Sequence, residues 1–186
     1  MKKILIIVTH PNIETSVVNK RWVEELKKYP EQFTVHELYQ EYPDGQIDVT
    51  QEQKLIEQHE NLILQFPIYW FNCPPLLKKW LDDVFTYGWA YGSSGKKLKN
   101  KKVSLAVSAG IEEEDFSENG LYQLTMKDVL KPFELTMRYV QADYQPFFIL
   151  YGANNEPGAK HSTTPEKIHQ SALDYIQFLS DFSNKA

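Results

Sequence analysis

Short apolar runs recur along the chain, and they restrict its fold more than any other feature of the sequence. Residues 4–8 read Ile-Leu-Ile-Ile-Val, and the segments 61–66 and 102–108 each contain three branched or leucine side chains. A strand with one face in water alternates apolar and polar residues, whereas a strand covered on both faces does not. These three segments therefore predict parallel strands buried between two layers.

Segments with helical periodicity separate the apolar runs. In the first of them Val18, Trp22 and Leu26 recur at helical spacing before Pro30 ends the segment. The other expected elements are strands at 33–38 and 144–150, and helices at 48–59, 74–85, 121–141 and from 164 onward. Strands that alternate with helices indicate parallel βαβ units with helices on both faces. We expect an α/β fold: a flavodoxin-like, doubly wound five-stranded sheet in the order 2-1-3-4-5, as one domain of residues 1–186.

Charge and cysteine content exclude some classes of function. The formal net charge is -5, so the chain has no excess of basic residues of the kind that binds nucleic acid. Five lysines fall within residues 96–102, and we interpret them as a solvated loop rather than a polyanion site. The only cysteine, Cys73, excludes a disulfide within the chain, and we interpret it as a packed residue. We assign no metal ligands.

The amino terminus begins like a signal peptide but does not continue like one. Met1, Lys2 and Lys3 precede five apolar residues. A signal peptide needs an apolar stretch of roughly 7–15 residues, and a membrane span needs about 20. We therefore expect a cytoplasmic protein.

Three loops form the expected ligand-binding region, because doubly wound sheets bind ligands at the carboxyl ends of strands beside the point where the strand order reverses. These loops follow Val8, Phe66 and Ser108. The first ends at a helix amino terminus, which favours anions, and His10, Ser16 and Asn19 can donate hydrogen bonds to phosphate oxygens. It contains no glycine, so neither the dinucleotide motif nor the P-loop is present. An ordinary helix cap with turn residues is the alternative.

The second loop is the more informative one. Trp70 and Phe71 stand side by side at the ligand edge, with prolines on both sides of the loop. A flat ring system that packs on these side chains would explain them, and aromatic packing beneath the next helix is the alternative. In the third loop, Gly110 permits a sharp turn that brings backbone N–H groups to a ring carbonyl. The acidic residues 112–115 that follow are expected to be exposed, without a catalytic role.

Several motifs together resemble a known family. They are His10, Ser-Val-Val-Asn at 16–19, Pro-Ile-Tyr-Trp-Phe at 67–71, Pro-Pro-Leu-Leu-Lys at 74–78, Phe-Thr-Tyr-Gly-Trp-Ala-Tyr-Gly at 85–92 and Ser-Ala-Gly at 108–110. This set resembles the NAD(P)H quinone oxidoreductase (DT-diaphorase-like) family. The likeness is closest to its short bacterial members, which include general-stress and drug-modulator oxidoreductases and ancillary subunits of potassium-efflux systems. It is most specific over residues 67–92.

The resemblance implies a cofactor, a dimer and a set of site residues. FMN rather than FAD is implied, because the chain lacks the carboxyl-terminal extension of the larger relatives. The flavin phosphate and ribityl chain would meet His10, Ser16, Val17, Val18 and Asn19. The ring would meet Pro67, Ile68, Tyr69, Trp70 and Phe71, and its pyrimidine edge Ser108, Ala109, Gly110 and Ile111. Trp89 and Tyr91 would reach the flavin of a partner chain in a homodimer and complete the acceptor pocket.

The sequence departs from the larger relatives at one place. They carry a tyrosine and a histidine shortly after the third loop, which help to stabilise charge on the reduced flavin. Neither stands at matching spacing here, and Tyr122 is the nearest candidate. The backbone amides of Gly110 and Ile111 are the alternative source of that stabilisation.

The function that these observations predict is that of an NAD(P)H:quinone oxidoreductase. It would transfer a hydride from NAD(P)H to quinones or similar flat electrophiles by a ping-pong mechanism, with the redox chemistry supplied by the cofactor. One alternative is a one-electron carrier of the true flavodoxin type, although the first loop lacks the glycine- and threonine-rich sequence of those proteins. Another is a flavin-binding regulatory subunit that docks on a membrane potassium-efflux transporter and has little turnover. A flavodoxin-like domain without cofactor is the third.

Overall fold

The computed structural model describes residues 4–154 and 163–184. In this part of the chain six strands form one parallel sheet: β1 (Ile4–Val8), β2 (Phe33–Glu37), β3 (Asn61–Pro67), β4 (Lys102–Ser108), β5 (Asp143–Tyr144) and β6 (Phe148–Leu150). Their order is β2-β1-β3-β4-β5, and β6 also pairs with β4. This confirms the predicted flavodoxin-like fold. Met1, Lys2 and Lys3, on which the signal-peptide argument rested, lie outside the described residues.

The helices cover both faces of the sheet, as expected for βαβ units. They are α1 (Val18–Leu26), α2 (Leu38–Glu41), α3 (Val49–Glu57), α4 (Pro75–Val84), α5 (Met126–Val129), α6 (Lys131–Tyr139) and α7 (Pro165–Asn184). One face of the sheet packs on α1 and α7 around Trp22. The other packs on α3, α4 and α6 around Trp80. Both indole rings are fully buried. Continuous apolar strands are explained by this double coverage.

Two elements differ from the sequence-based expectation, and proline is involved in both. The single strand expected at 144–150 is broken into β5 and β6, because Pro146 lies between them and has no N–H for the ladder. The helix expected at 121–141 is divided into α5 and α6. Thr125 caps α5 in a reciprocal arrangement with Asp128, and Pro132 occupies the first turn of α6, where its missing N–H costs no hydrogen bond.

A fully buried carboxylate joins the helices on one face. Glu52 of α3 accepts hydrogen bonds from the ring of His36 at 2.8 Å, the hydroxyl of Tyr42 at 2.7 Å and the indole N–H of Trp80 at 2.7 Å. Burial alone would raise the pKa of Glu52, but the contacts with His36, Tyr42 and Trp80 outweigh it and hold the pKa below its ordinary value. This network connects β2, α3 and α4.

Within the described ranges, the helices are too short or too polar to cross a lipid bilayer. The cytoplasmic location stays a prediction.

Candidate functional site

The three predicted loops meet at the carboxyl edge of the sheet. The N–H of Thr9, just after β1, donates to the carbonyl of Gln65 in β3 at 2.8 Å, and that of Ile68, just after β3, donates to Ser108 at the end of β4 at 2.8 Å. The N–H of Ala109 donates to Leu150 at the end of β6 at 2.9 Å. These ladder-like bonds extend the sheet into the loops, so the loop starts are held at fixed spacing.

The first loop presents a helix amino terminus. After a short 3-10 turn at Ile13–Thr15, the Ser16 hydroxyl accepts the backbone N–H of Asn19 at 3.0 Å and caps the first turn of α1. The N–H groups of Val17 and Val18 precede any helical carbonyl that could accept them, so they remain available to an anion. The predicted anion site therefore rests on backbone groups and on the Ser16 hydroxyl.

His10 lies beside this turn with a defined tautomer. Its Nδ1 accepts the backbone N–H of Asn12 at 3.2 Å, which leaves the proton on Nε2. Burial lowers the pKa of His10, which favours the neutral ring. The ring also lies edge-on to Tyr69 of the second loop, with the ring centroids 6.4 Å apart. His10 thus offers one N–H donor between the first and second loops.

Asn19 has a different environment from the one that the sequence suggested. Its side chain is buried, and its amide N–H donates to the hydroxyl of Ser108 at 2.9 Å rather than to a group in the first loop. Its amide oxygen accepts the side-chain N–H of Gln65 at 3.3 Å. We call Gln65, Asn19 and Ser108 the polar bridge. The contact of Asn19 with the flavin phosphate stays a prediction, and in the described structure its side chain is engaged in the polar bridge.

Two functional candidates that sequence reasoning missed lie in or beside the polar bridge. The hydroxyl of Thr9 and the amide oxygen of Gln65 are buried and have no hydrogen-bond partner among the described residues. Each such group costs about 1–3 kcal/mol, so orphaned groups call for an explanation. A signal was present in the sequence, since Gln65 interrupts an apolar strand at a position that is now fully buried.

The second loop exposes its aromatic side chains at the expense of backbone strain. Tyr69 and Asn72 exchange two backbone hydrogen bonds of 2.8 and 3.0 Å, which close a tight turn over Trp70 and Phe71. Both central residues have positive φ, 49° for Trp70 and 59° for Phe71, a conformation that costs bulky residues about 1–3 kcal/mol each. Trp70 is 95% exposed. A large aromatic held in water by a strained turn is typical of a ligand contact.

The third loop has an open backbone, and an apolar recess lies beside the second loop. Gly110 has no heavy atom closer than 3.9 Å to the place where a side chain would begin, so its backbone is open to a ligand. Phe116 and Tyr122 stack with centroids 5.3 Å apart, and Phe71 meets Tyr122 edge-on at 5.1 Å. With Leu124 and Val129 these rings line a recess of about 290 Å³. Tyr122 therefore lies at the candidate site, beside the second loop.

Trp89 and Tyr91 occupy different environments. Trp89 is buried, and its indole N–H donates to Glu57 at 2.8 Å. Tyr91 is half-buried between Tyr87 and Tyr139, at centroid distances of 5.8 and 5.5 Å. Tyr91 also lines a cavity of about 510 Å³ between α4 and α6, and Tyr87 and Tyr139 are 72% and 69% exposed. The contact of Trp89 and Tyr91 with a partner's flavin stays a prediction.

The residues at this edge fit the predicted FMN. The amino terminus of α1 suits a phosphate, the aromatic turn and the recess suit a flat ring, and the Gly110 backbone suits a ring carbonyl. Thr9 follows β1 directly and Gln65 lies near the end of β3, so both orphaned atoms belong to residues near strand ends at this edge. No cluster of metal-ligating side chains occurs within residues 4–154 and 163–184.

Comparison with known proteins gives consistent matches over most of the chain. A family model described as flavodoxin-like fold matches residues 2–176. An uncharacterized NAD(P)H oxidoreductase of Bacillus subtilis, YrkL, is 49% identical over 94% of this chain and 98% of its own length. The glutathione-regulated potassium-efflux ancillary protein KefG of Yersinia pestis is 34% identical over 95% of this chain and 93% of its own.

Two solved structures are similar as well. General stress protein 14 of Treponema denticola, in complex with FMN, is 50% identical with a TM-score of 0.89, and the match covers 97% of this chain and 99% of that one. An NADPH-quinone reductase of P. pentosaceus is 26% identical with a TM-score of 0.82, and the match covers 95% of this chain and 97% of that one.

Proposed function

Because this chain belongs to the flavodoxin-like family, we propose that it is a single-domain, FMN-dependent NAD(P)H oxidoreductase that reduces quinones or similar flat electrophiles by a ping-pong cycle. The observation that carries the proposal is the meeting of an open helix amino terminus with a strained, exposed aromatic turn at one sheet edge. A relative of 50% identity was crystallised with FMN, and a more distant one is named an NADPH-quinone reductase, which supports the cofactor and the acceptor class.

The chain's own groups would hold the phosphate without a basic side chain. The N–H groups of Val17 and Val18, the Ser16 hydroxyl and the Nε2–H of His10 would donate to phosphate oxygens, and the dipole of α1 favours the negative charge. Because His10 is neutral, its contribution is a hydrogen bond rather than a charge. The contribution of His10 should therefore change little with pH above its lowered pKa.

The same edge would orient the ring and the substrates. FMN, when bound, supplies the hydride chemistry between NAD(P)H and the acceptor. Trp70 and Phe71 would flank the ring and exclude water, and the N–H groups of Gly110 and Ile111 would donate toward its pyrimidine side, where preorganised donors stabilise negative charge. Phe71, Phe116 and Tyr122 would wall a pocket beside the aromatic turn, where flat substrates would bind in turn, as a ping-pong order requires.

A second copy of the chain is the proposed cover for the groove between α4 and α6. This groove is lined mainly by apolar side chains, and Tyr87, Leu135 and Tyr139 are exposed near it. Exposed apolar patches of this kind are typical of protein interfaces. Since the second loop supplies Asn72 and Cys73 to the same groove, a partner seated there would stand next to the flavin edge.

The test is direct. Purified protein is reconstituted with FMN, its visible spectrum is recorded, and NADH or NADPH is added without oxygen. We expect a yellow protein whose flavin absorbance is lost on addition of either nucleotide and returns with a quinone. A colourless protein, or a bound flavin that neither nucleotide bleaches, contradicts the proposal.

The similarity to KefG favours a second candidate, a flavin-binding regulatory subunit of a potassium-efflux transporter. Turnover separates the two. Rapid reduction by NAD(P)H and rapid reoxidation by a quinone favour the enzyme. Bound FMN with negligible turnover, together with co-purification of a membrane transporter, favours the regulatory subunit.

A further inference from the structure

The polar bridge has a position that packing alone does not require. Gln65 lies in the middle of the sheet, fully buried, and its side-chain N–H groups reach both the amide oxygen of Asn19 at 3.3 Å and the backbone carbonyl of Asn19 at 3.4 Å. Asn19 in turn donates to Ser108 at 2.9 Å. A leucine at position 65 would fill similar space, and it has no amide oxygen that could be left unpaired as that of Gln65 is. The buried amides therefore carry a cost in stability that the fold does not need.

The bridge connects the two ends of the candidate site. Asn19 belongs to the first turn of α1, and its backbone N–H is the one that Ser16 caps, so the bridge holds the anion-binding end. Ser108 is the residue from which the Gly110 loop departs, and its carbonyl also receives the N–H of Ile68 from the aromatic loop. The bridge thus fixes the distance from the phosphate end to the ring end.

We propose that Gln65 is a positioning residue, which acts through Asn19 and Ser108 to set the spacing between the phosphate end and the ring end and so selects phosphorylated flavin over riboflavin. This inference rests on the proposed function. A ligand anchored at two points gains from the second anchor only when the anchors match its length. Riboflavin has the same ring without the phosphate, so it reports the ring end alone. The ratio of the two affinities therefore measures the spacing.

The ratio also separates positioning from stability. A substitution that only weakens the fold lowers both affinities by the same folded fraction, and the ratio of riboflavin Kd to FMN Kd stays constant. A substitution that loosens the bridge lowers FMN affinity selectively. The expected change is about fivefold for one lost hydrogen bond.

The experiment measures both Kd values by fluorescence quenching for the apo-protein and four variants. Gln65→Met keeps the length of the side chain and removes its amide, and Ser108→Ala removes the hydroxyl that Asn19 reaches. Ser108→Thr restores a hydroxyl at that position. Ser104→Ala is the matched control, because Ser104 is a buried serine of the same strand whose hydroxyl donates to Pro146 at 2.7 Å, away from the bridge.

The inference predicts that the ratio falls about fivefold in Gln65→Met and Ser108→Ala and is retained in Ser108→Thr and Ser104→Ala. If Gln65→Met fails to fold, Ser108→Ala still tests whether the contact between Asn19 and Ser108 sets the ratio. An unchanged ratio in folded Gln65→Met or in Ser108→Ala, or an equal fall in Ser104→Ala, overturns the inference while the proposed function stands. Wild-type protein that binds neither flavin overturns both.

Discussion

Replacement of Glu52 is the perturbation whose effect on stability should be largest. The carboxylate is fully buried and accepts three hydrogen bonds from three different elements of the chain. Glu52→Leu removes every acceptor and leaves the donors of His36, Tyr42 and Trp80 without a partner. Glu52→Gln keeps one acceptor oxygen and replaces the other with an amide nitrogen, a donor that needs an acceptor such as the oxygen of the Tyr42 hydroxyl.

The magnitude follows from this geometry. Removing one side of a buried, hydrogen-bonded charged group costs about 3–5 kcal/mol, and we expect that range for Glu52→Leu. For Glu52→Gln we expect about 1–2 kcal/mol, because the amide oxygen can accept from Trp80 while the Tyr42 hydroxyl accepts from the amide. A domain of this size has about 5–15 kcal/mol in total, so the leucine variant loses a large part of it.

Urea denaturation followed by tryptophan fluorescence measures both values. Glu57→Gln is the matched control, since Glu57 ends the same helix and also accepts an indole N–H, that of Trp89 at 2.8 Å, but its side chain is partly exposed. We expect its cost to stay within about 1 kcal/mol.

The pH dependence gives an independent check. The pKa of Glu52 in the folded protein lies below its ordinary value, so the stabilisation is present at neutral pH and is lost as the pH falls through the folded-state pKa. The gap between wild type and Glu52→Gln should therefore narrow below about pH 4. A leucine variant that loses less than about 1 kcal/mol, or a gap that widens in acid, refutes the reasoning.

Three further predictions concern the candidate site and the groove. Ser16→Ala removes the cap on the N–H of Asn19 and should lower the free energy of unfolding by about 1 kcal/mol, measured by urea titration, and a cost near zero speaks against the cap. Trp70→Gly relieves the positive φ of 49°, so thermal denaturation should show equal or higher stability while FMN titration shows weaker binding; a clear loss of stability contradicts the strain argument. Leu135→Lys places a charge on an exposed residue near the α4–α6 groove and should convert a dimer to a monomer in analytical ultracentrifugation, whereas Leu173→Lys, at an exposed residue of α7, should not. A wild-type monomer contradicts the proposed dimer.

The sheet and its ligand edge could be predicted because they depend on local patterns. The apolar run at 4–8 has one interpretation as a strand covered on both faces, and the strand order then places the loops after Val8, Phe66 and Ser108 together. The aromatic turn could be recognised because two large aromatic residues, Trp70 and Phe71, are adjacent in the sequence at the ligand edge. Their positive φ values explain why the side chains point outward rather than into the core.

The polar bridge could not be predicted, because it depends on contacts between distant parts of the chain. Asn19 and Ser108 are 89 positions apart, and Asn19 and Gln65 are 46 apart. At the helix start, an asparagine has the same sequence signature whether it faces a phosphate or a buried serine. Only the packing of α1 on the sheet decides between them. The break of the strand at 144–150 was not predicted either, although Pro146 stands in this segment of the sequence.

The break between β5 and β6 also affects how the molecule meets other molecules. The outer border of the sheet on that side consists of pieces of only two and three residues, with a proline between them. A growing β-aggregate needs a continuous row of free N–H and C=O groups to copy, and this border does not offer one. The β5–β6 edge of the sheet is therefore a poor template for β-aggregation at high concentration. We expect specific contacts to be made by the helices instead.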